Sequence, residues 1–566
     1  GVDPGDFVFS ASCNGQRVSK TINSLGGESV TELSGVLPGV TSTWSGIVRL
    51  SGDVTVPRGH VLKVEAGTIV MLDGTIEPGS SAGTDLIIEG AINCQGTNDQ
   101  PITFTASQPG ALWGQILFDR CEAANFAFTN LHRAGHSPAG GHTDHGRVLR
   151  IVGSSVTFND CNITDNRGKV GQSEAGGDTD SSIVLRRCHL ARSVMGLETF
   201  DTGILVEDTY ITDMLGIYRE DGVTDDNDAI YLHEAGDGQD IILRNVVIAY
   251  MDDDGVDTLD ADVNLFNVIS RNCGDKGASL FSEDISIIGG LFVNNDIGIS
   301  AKDDARVSLN FVTITSNESV GLQAENKDGN DDPSFYTISN SIIWGNGDAV
   351  RTDFDPQDIN IIYSIVEESW EGSGNINSDP LFVGPSSANF KLRAGSPAIG
   401  AGNLEEGAPD IGYFPYKPSV GAEVRWTARG GPYHIIDDVT IPSGTALVIE
   451  PGASVYFDED KKITINGIAR IVGTPTRRIQ FSPLPGAAFV PNSAGNGSLP
   501  DAPPKSEGIK IIDSMDPNNR IAHIDIGHAQ DREGAIGIIS SQCVIDDVRF
   551  YGTKIRILYT SDASII

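Results

Sequence analysis

Few cysteines, few basic residues and no long apolar run set the first limits on this sequence. The seven cysteines (Cys13, Cys94, Cys121, Cys161, Cys188, Cys273 and Cys543) are spread over 566 residues without a CxxC pair. That spacing disfavours both a zinc ribbon and a dense disulfide scaffold. Lys and Arg number 39 against 77 Asp and Glu, a formal charge of −38. A surface so acidic repels phosphate backbones and anionic lipid and draws cations, which argues against nucleic acid as a partner. No run of about 18 apolar residues occurs, so no membrane span is expected. P-loop, GxSxG and HExxH motifs are absent. The chain opens at Gly1 without a Met or a signal peptide, as a trimmed mature protein or an expressed piece of one would.

What is present is repetition. Between Ile241 and Glu325 the chain reads IILRNVVIAYMDDDGVDTL, VNLFNVISRNCGDKGASLF, ISIIGGLFVNNDIGISA and VSLNFVTITSNESVGLQAE. Each segment holds a β-rich run, an Asn/Asp turn, then a small residue and a short second run. The small residues Ala229, Gly255, Gly277, Gly298 and Gly321 are 26, 22, 21 and 23 positions apart. A period in the low twenties with strand chemistry marks a solenoid, in which each unit buries its apolar face only against a stacked neighbour. The predicted fold is all-β: a right-handed parallel β-helix. With 39% hydrophobic residues at strand spacing, disorder is not the expectation despite the charge.

The start of the rod is written twice. Asp53-Val54-Thr55-Val56-Pro57 returns as Asp438-Val439-Thr440-Ile441-Pro442, Glu65-Ala66-Gly67 as Glu450-Pro451-Gly452, and Gly96-Thr97 as Gly473-Thr474. Two consecutive β-helical segments are therefore expected: a lead-in or cap over 1–42, a main β-helix with a closing segment over 43–416, and a second segment over 417–566. The last run, TKIRILYTSDASII, stops within a strand pattern. Either the chain is truncated there, or a further C-terminal domain or an end-to-end subunit contact covers that end.

The wording NSDPLFV, FKLRAGSPAIGAGN and PDIGYFPY resembles the closing segment of secreted bacterial right-handed β-helix repeat proteins of the pectate-lyase-like superfamily. CGDKGAS and GISAKDD, followed by VTIPSGTALVIEPGASVYF, resemble large extracellular proteins in which such solenoids precede lamin-tail-like and spore-coat-kinase-like modules. The resemblance implies a secreted or cell-surface location. For activity it implies a range, because that superfamily spans lyases, hydrolases, adhesins and scaffolds.

Stacking converts the repeat into a surface, because equal positions in successive coils lie about 4.8 Å apart. Aligned on the small residues, Asp228, Asp254, Lys276 and Ile297 share one column, and Tyr231, Asp257, Ser279, Ser300 and Gln323 share another. Lys302 falls two coils beyond Asp257, on the same outward face. The run Asp252, Asp253 and Asp254, with Asp257 and Asp260, can offer hard oxygen ligands, and Ca²⁺ is the expected cation. In a β-elimination lyase, Ca²⁺ would neutralise a uronate carboxylate while Lys276 or Lys302 removes the C5 proton. In a hydrolase, Asp254 and Asp257 would be the carboxyl pair. Turn-forming Asp side chains with an inter-coil Lys–Asp ladder account for the same residues without chemistry.

Two further groups stand out. His132, His136, His142 and His145 lie in a Gly-rich insertion that reads as a solvated loop or a Zn²⁺ site. Tyr218, Tyr231, Trp344 and Trp370 are candidate sugar platforms or coil covers. The sequence thus leads to a Ca²⁺-stabilised scaffold or adhesin that meets polysaccharide or cell-surface components. The alternative is a polysaccharide lyase or glycoside hydrolase acting on an acidic glycan.

Overall fold

Alternation along short strands builds the rod. In Ser181–Arg186, Ile183 and Leu185 turn into the core while Ser182, Val184 and Arg186 face outward. This is the period of two that a pleated strand imposes. The next coil repeats the pattern in parallel register, Ile183 on Ile204 and Leu185 on Val206.

The computed structural model describes the chain apart from residues 1–5, 14–15, 24–29, 76–82, 109, 143–144, 217–225, 237, 328–331, 386–388, 394, 404–406, 416–422, 483–504, 517, 528, 530–533, 552–556, 560–563 and 566. The described residues contain no α-helix, and no helix long and apolar enough to cross a membrane. The protein is an all-β parallel β-helix: every strand between Val30–Val36 and Ile365–Val366 pairs in parallel with strands of neighbouring coils. One inward column runs unbroken from Val54 through Leu86, Ile116 and Leu149, and later through Ile230, Val256, Ala278 and Ile299 to Leu322 and Val350. Parallel pairing begins at Val30–Val36, which lies against Ile47–Val56; before it, Asp6–Cys13 and Gln16–Asn23 form an antiparallel hairpin.

The small-residue period has a physical cause. A Cβ on Gly277 would come within 2.6 Å of the Asn295 amide nitrogen, and one on Gly298 within 2.8 Å of that of Asn317. On Gly321 it would come within 2.6 Å of the Asn346 nitrogen. These asparagines stack into a ladder: Asn295 Nδ2 donates to Asn317 Oδ1 (3.2 Å), and Asn317 Nδ2 donates to Asn346 Oδ1 (2.8 Å). Buried amides must be paired, and the ladder pairs them only where the facing residue has no side chain. Cys161 and Cys188 also stack at one corner, as buried free thiols rather than a disulfide.

The closing segment does not lie over the end of the rod. Phe382, Phe390, Leu392, Ala398 and Ile411 pack on a flank made by Val247, Ile269, Leu291 and Ile342. A second parallel stack follows, with Ala446–Ile449 between Glu423–Trp426 and Ile468–Val472, and with its own apolar core. The two stacks are consecutive in sequence and lie side by side in space. Tyr413 N–H donates to Thr313 Oγ1 (3.0 Å), Arg271 donates to Gly430 O, Tyr456 Oη donates to Asp213 (2.9 Å), and Arg192 Nη1 donates to Gln480 Oε1 (3.0 Å). As the chain advances from 413 to 480 its partners retreat from 313 to 192, so the second rod runs back along the first.

Candidate functional site

The outward column next to that inward one carries the site. Gln172 lies on Glu198, Glu198 on Tyr231, Tyr231 on Asp257, Asp257 on Ser279, Ser279 on Ser300 and Ser300 on Gln323. Asp257 and Lys302 share this face, with Nζ 2.8 Å from Oδ1.

Beside Asp257, Asp228, Asp253 and Asp254 bring carboxylate oxygens within 4.8 Å of one another, and they are the one such acidic or metal-ligating group among the described residues. Their geometry comes from coil-to-coil bonding. Asp228 Oδ1 accepts the N–H of Asp254 (3.0 Å), and Asp254 Oδ1 accepts the N–H of Lys276 (2.7 Å). Asp253 Oδ2 accepts the N–H of Asp226 (2.9 Å). Each carboxylate is thus held by a neighbouring coil rather than by its own turn.

Burial drives the Asp228 carboxyl well above the usual carboxylate range, and the charges of Asp254, Asp253 and Asp257 add to it. Asp254 is raised likewise by burial and is eased by Lys276, whose Nζ lies 3.8 Å away. Burial alone would lower the Lys276 ammonium, but Asp254 and Asp275 outweigh it and hold it above its ordinary value. Packed carboxylates of this kind favour a hard cation or a proton.

The other expected ligands go elsewhere. Asp252 Oδ2 accepts the N–H of Gly216 (2.5 Å), and Asp260 stands at an exposed corner with φ +59°. Asp228 is the member that the linear run Asp252–Asp254 does not reveal.

The histidine insertion divides: His132 and His136 are held against the rod, whereas Pro138, Ala139, Gly141 and His142 are exposed. His132 Nδ1 is 3.2 Å from Thr164 O, and burial lowers its basicity. His136 is buried. His142 Nε2 sits 2.7 Å from Asp226 Oδ1, and its ring is 5.0 Å from that of Tyr231. Among the described residues no three of these histidines bring ligand atoms within 4.8 Å of one another. Sequence reasoning also missed Lys169 and Glu198, an ion pair of 2.6 Å with both side chains 0% exposed.

Of the candidate platforms among the described residues, Tyr231 alone stands on this face. Its ring is 4.5 Å from that of His233, which stacks on Phe200 at 3.9 Å. Trp344 packs with the closing segment, and Trp370 donates Nε1–H to Ile359 O (3.3 Å) against the main core. Tyr218 lies outside the described residues.

No protein-family profile matches the chain. Over 86 residues it is 34% identical to Protein bark beetle of Drosophila melanogaster, a stretch that is 15% of this chain and 2% of that protein. Among solved structures, pectate lyase Pel9A is similar at 13% identity and a TM-score of 0.31, covering 64% of this chain and 89% of its own. The PL6 family alginate lyase AlyGC shows 12% identity and a TM-score of 0.31, over 86% of this chain and 80% of that one. The mannuronan C-5 epimerase AlgE4 A-module of Azotobacter vinelandii shows 14% identity and a TM-score of 0.26, over 62% and 92%.

Proposed function

We propose that this is a secreted or cell-surface β-helix protein that binds an acidic polysaccharide through Ca²⁺. The cation would be held by Asp228, Asp253 and Asp254, with Asp257 beside them, and the glycan would lie along the outward column. The supporting observation is the convergence of three carboxylates within 4.8 Å on a face of stacked polar rungs. A protein of charge −38 repels a polyanion, and a bridging cation reverses that sign at one place. The test is calorimetry of Ca²⁺ followed by oligouronates. Uptake of sugar that requires Ca²⁺ and disappears in Asp228→Asn/Asp254→Asn supports the reading; sugar uptake in the presence of chelator refutes it.

A second reading, cleavage by β-elimination, draws on Lys302. Its Nζ is 2.8 Å from Asp257 Oδ1, so a cation that captures Asp257 would leave this amine facing the bound uronate. As the free amine it would take the C5 proton, the C4–O bond would break, a C4=C5 double bond would form on the new end, and the departing C4 oxygen would take a proton from water. Lys276 is less suited as the base, since two carboxylates hold its proton. Ultraviolet absorbance from unsaturated ends across a uronate panel separates the readings. Its appearance in wild type and loss in Lys302→Ala supports cleavage, and silence with intact binding supports the scaffold.

A further inference from the structure

A cleft of about 340 Å³ opens along the seam between the two rods, on the flank of Tyr210–Met214 and Val247–Met251 rather than on that of Asp257. Its floor is Tyr210, Val247 and Ala428, all buried. Its rim is polar and open: Asp208 is exposed, and the Arg187 and Glu450 side chains are 41% and 37% exposed. Three guanidinium groups line the cleft, and two of them are engaged. Arg187 Nε and Nη2 donate to Asp160 (2.9 and 2.8 Å). Arg429 donates to Asn245 Oδ1 (2.5 Å), to Tyr413 Oη (2.7 Å) and to Asn267 O. The rim carboxylates are engaged too, Asp208 with Asn245 Nδ2 (2.9 Å) and Glu450 with Arg425 Nη1 (2.7 Å). Arg477 is the exception. Among the described residues its guanidinium has no hydrogen-bond or ion-pair partner, and only its main chain is bonded, to Thr474. Burial lowers its basicity; Asp160 and Asp208 pull the other way without reversing this, and Arg187 pushes with burial from the opposite rod.

The twice-written rod start marks the same position. Thr97 Oγ1 accepts the N–H of Gln100 (3.1 Å), and Thr474 Oγ1 accepts the N–H of Arg477 (3.0 Å). Gly67, at φ +79°, packs beside Gln100, and Gly452, at φ +84°, packs beside Arg477. In the first copy this corner is exposed and carries a neutral amide. In the second it faces the other rod and carries a charge. We infer that the cleft binds a tetrahedral oxyanion, sulfate or phosphate, with Arg477 as its principal contact. A guanidinium presents five N–H donors, and those of Arg477 are spare. The pair with Asp160 leaves Arg187 its Nη1. Two guanidinium groups from opposite rods suit four oxygens pointing in different directions, whereas one fork satisfies a planar carboxylate. An anion between them also relieves their repulsion. Asp208 and Glu450 at the rim repel a bare anion but accept hydroxyl groups, so a sugar ester of the oxyanion suits the cleft better than the free ion. The inference uses no Ca²⁺ and is independent of the glycan reading above.

The test is calorimetry on the whole chain, with chelator present and sodium chloride holding ionic strength constant. Sodium sulfate, sodium phosphate, a monosaccharide sulfate ester and galacturonate are titrated in turn. One saturable site is expected for the tetrahedral anions. Arg477→Gln, which puts the residue of the first copy at this corner, should weaken it about tenfold or more. Arg477→Lys, which keeps the charge and loses the fork, should fall between that variant and wild type. Arg120→Gln, which alters an exposed arginine outside the cleft, should leave binding unchanged. Tighter uptake of the ester than of the free ions assigns a sugar-borne group; equal uptake assigns the free anion and still supports the site. No saturable uptake by wild type, uptake undiminished in Arg477→Gln, or equal affinity for galacturonate overturns the inference. Because Ca²⁺ is withheld throughout, none of these outcomes bears on the carboxylate group.

Discussion

Lys302 Nζ lies 2.8 Å from Asp257 Oδ1, although 45 residues of chain separate them. The contact spans two coils and passes over Ser279, whose short side chain leaves the path clear. Their side chains are 7% and 19% exposed, so this pair is worth more than a solvated surface bridge. Replacing Lys302 by Ala leaves a largely buried carboxylate without its cation and should cost about 2–4 kcal/mol. Adding Asp257→Asn should restore part of the loss, a coupling that urea unfolding of the four-member cycle measures. Equal midpoints for the single and double variants would remove the pair from the stability account.

Calcium should stabilise the fold. If Asp228, Asp253 and Asp254 hold the ion, free Ca²⁺ at a hundred times its dissociation constant adds about 2.7 kcal/mol. The melting temperature should rise with Ca²⁺ in wild type and stay flat in Asp228→Asn/Asp254→Asn. A chelator-insensitive wild type would count against the site.

The buried Lys169–Glu198 pair should behave asymmetrically. Lys169→Met strands a fully buried carboxylate and should cost about 3–5 kcal/mol, while Lys169→Met/Glu198→Gln should cost clearly less. Chemical denaturation decides between this and simple additivity.

Asparagine at position 317 should be the least replaceable rung of its ladder. Its Oδ1 accepts from both the backbone and the side chain of Asn295, and its Nδ2 donates to Phe292 O and Asn346 Oδ1. Asn317→Ala orphans buried groups on both neighbouring coils and should cost about 2–4 kcal/mol, more than Asn346→Ala. Amide exchange should quicken at Asn295 before it does elsewhere in the rod.

Fold stability should fall as pH rises through the titration of Asp213. Burial pushes Asp213 up to about 6 from 3.8, against the pull of Arg192 and the Tyr456 hydroxyl. The folded protein therefore binds this proton more tightly than the unfolded chain. That contribution is complete below pH 3.8 and is lost as pH climbs through about 6, a change of about 3 kcal/mol in total. Asp213→Asn should flatten this part of the pH–stability curve. An unchanged slope in the variant assigns the effect to other groups.

The columns were legible in the sequence because a period fixes them. The steps at Gly255, Gly277, Gly298 and Gly321 put Asp257, Ser279, Ser300 and Gln323 in one file, and the register agrees residue for residue. The carboxylate group was legible only in part. Asp252 turns to the N–H of Gly216 and so does not join Asp253 and Asp254, whereas Asp228 arrives from one coil earlier. It stands in the same column as Asp254, and that was the available signal. The lateral contact of the rods left no period to read. It depends on single residues such as Tyr456 and Arg271, each of which is ordinary until its partner is known.

A lone solenoid unravels coil by coil from whichever end frays first. Here the second rod is splinted along the middle coils through Arg271, Asp213 and Arg192. A pull along the long axis must therefore shear that seam before those coils can unwind, so tension is spread over many turns at once.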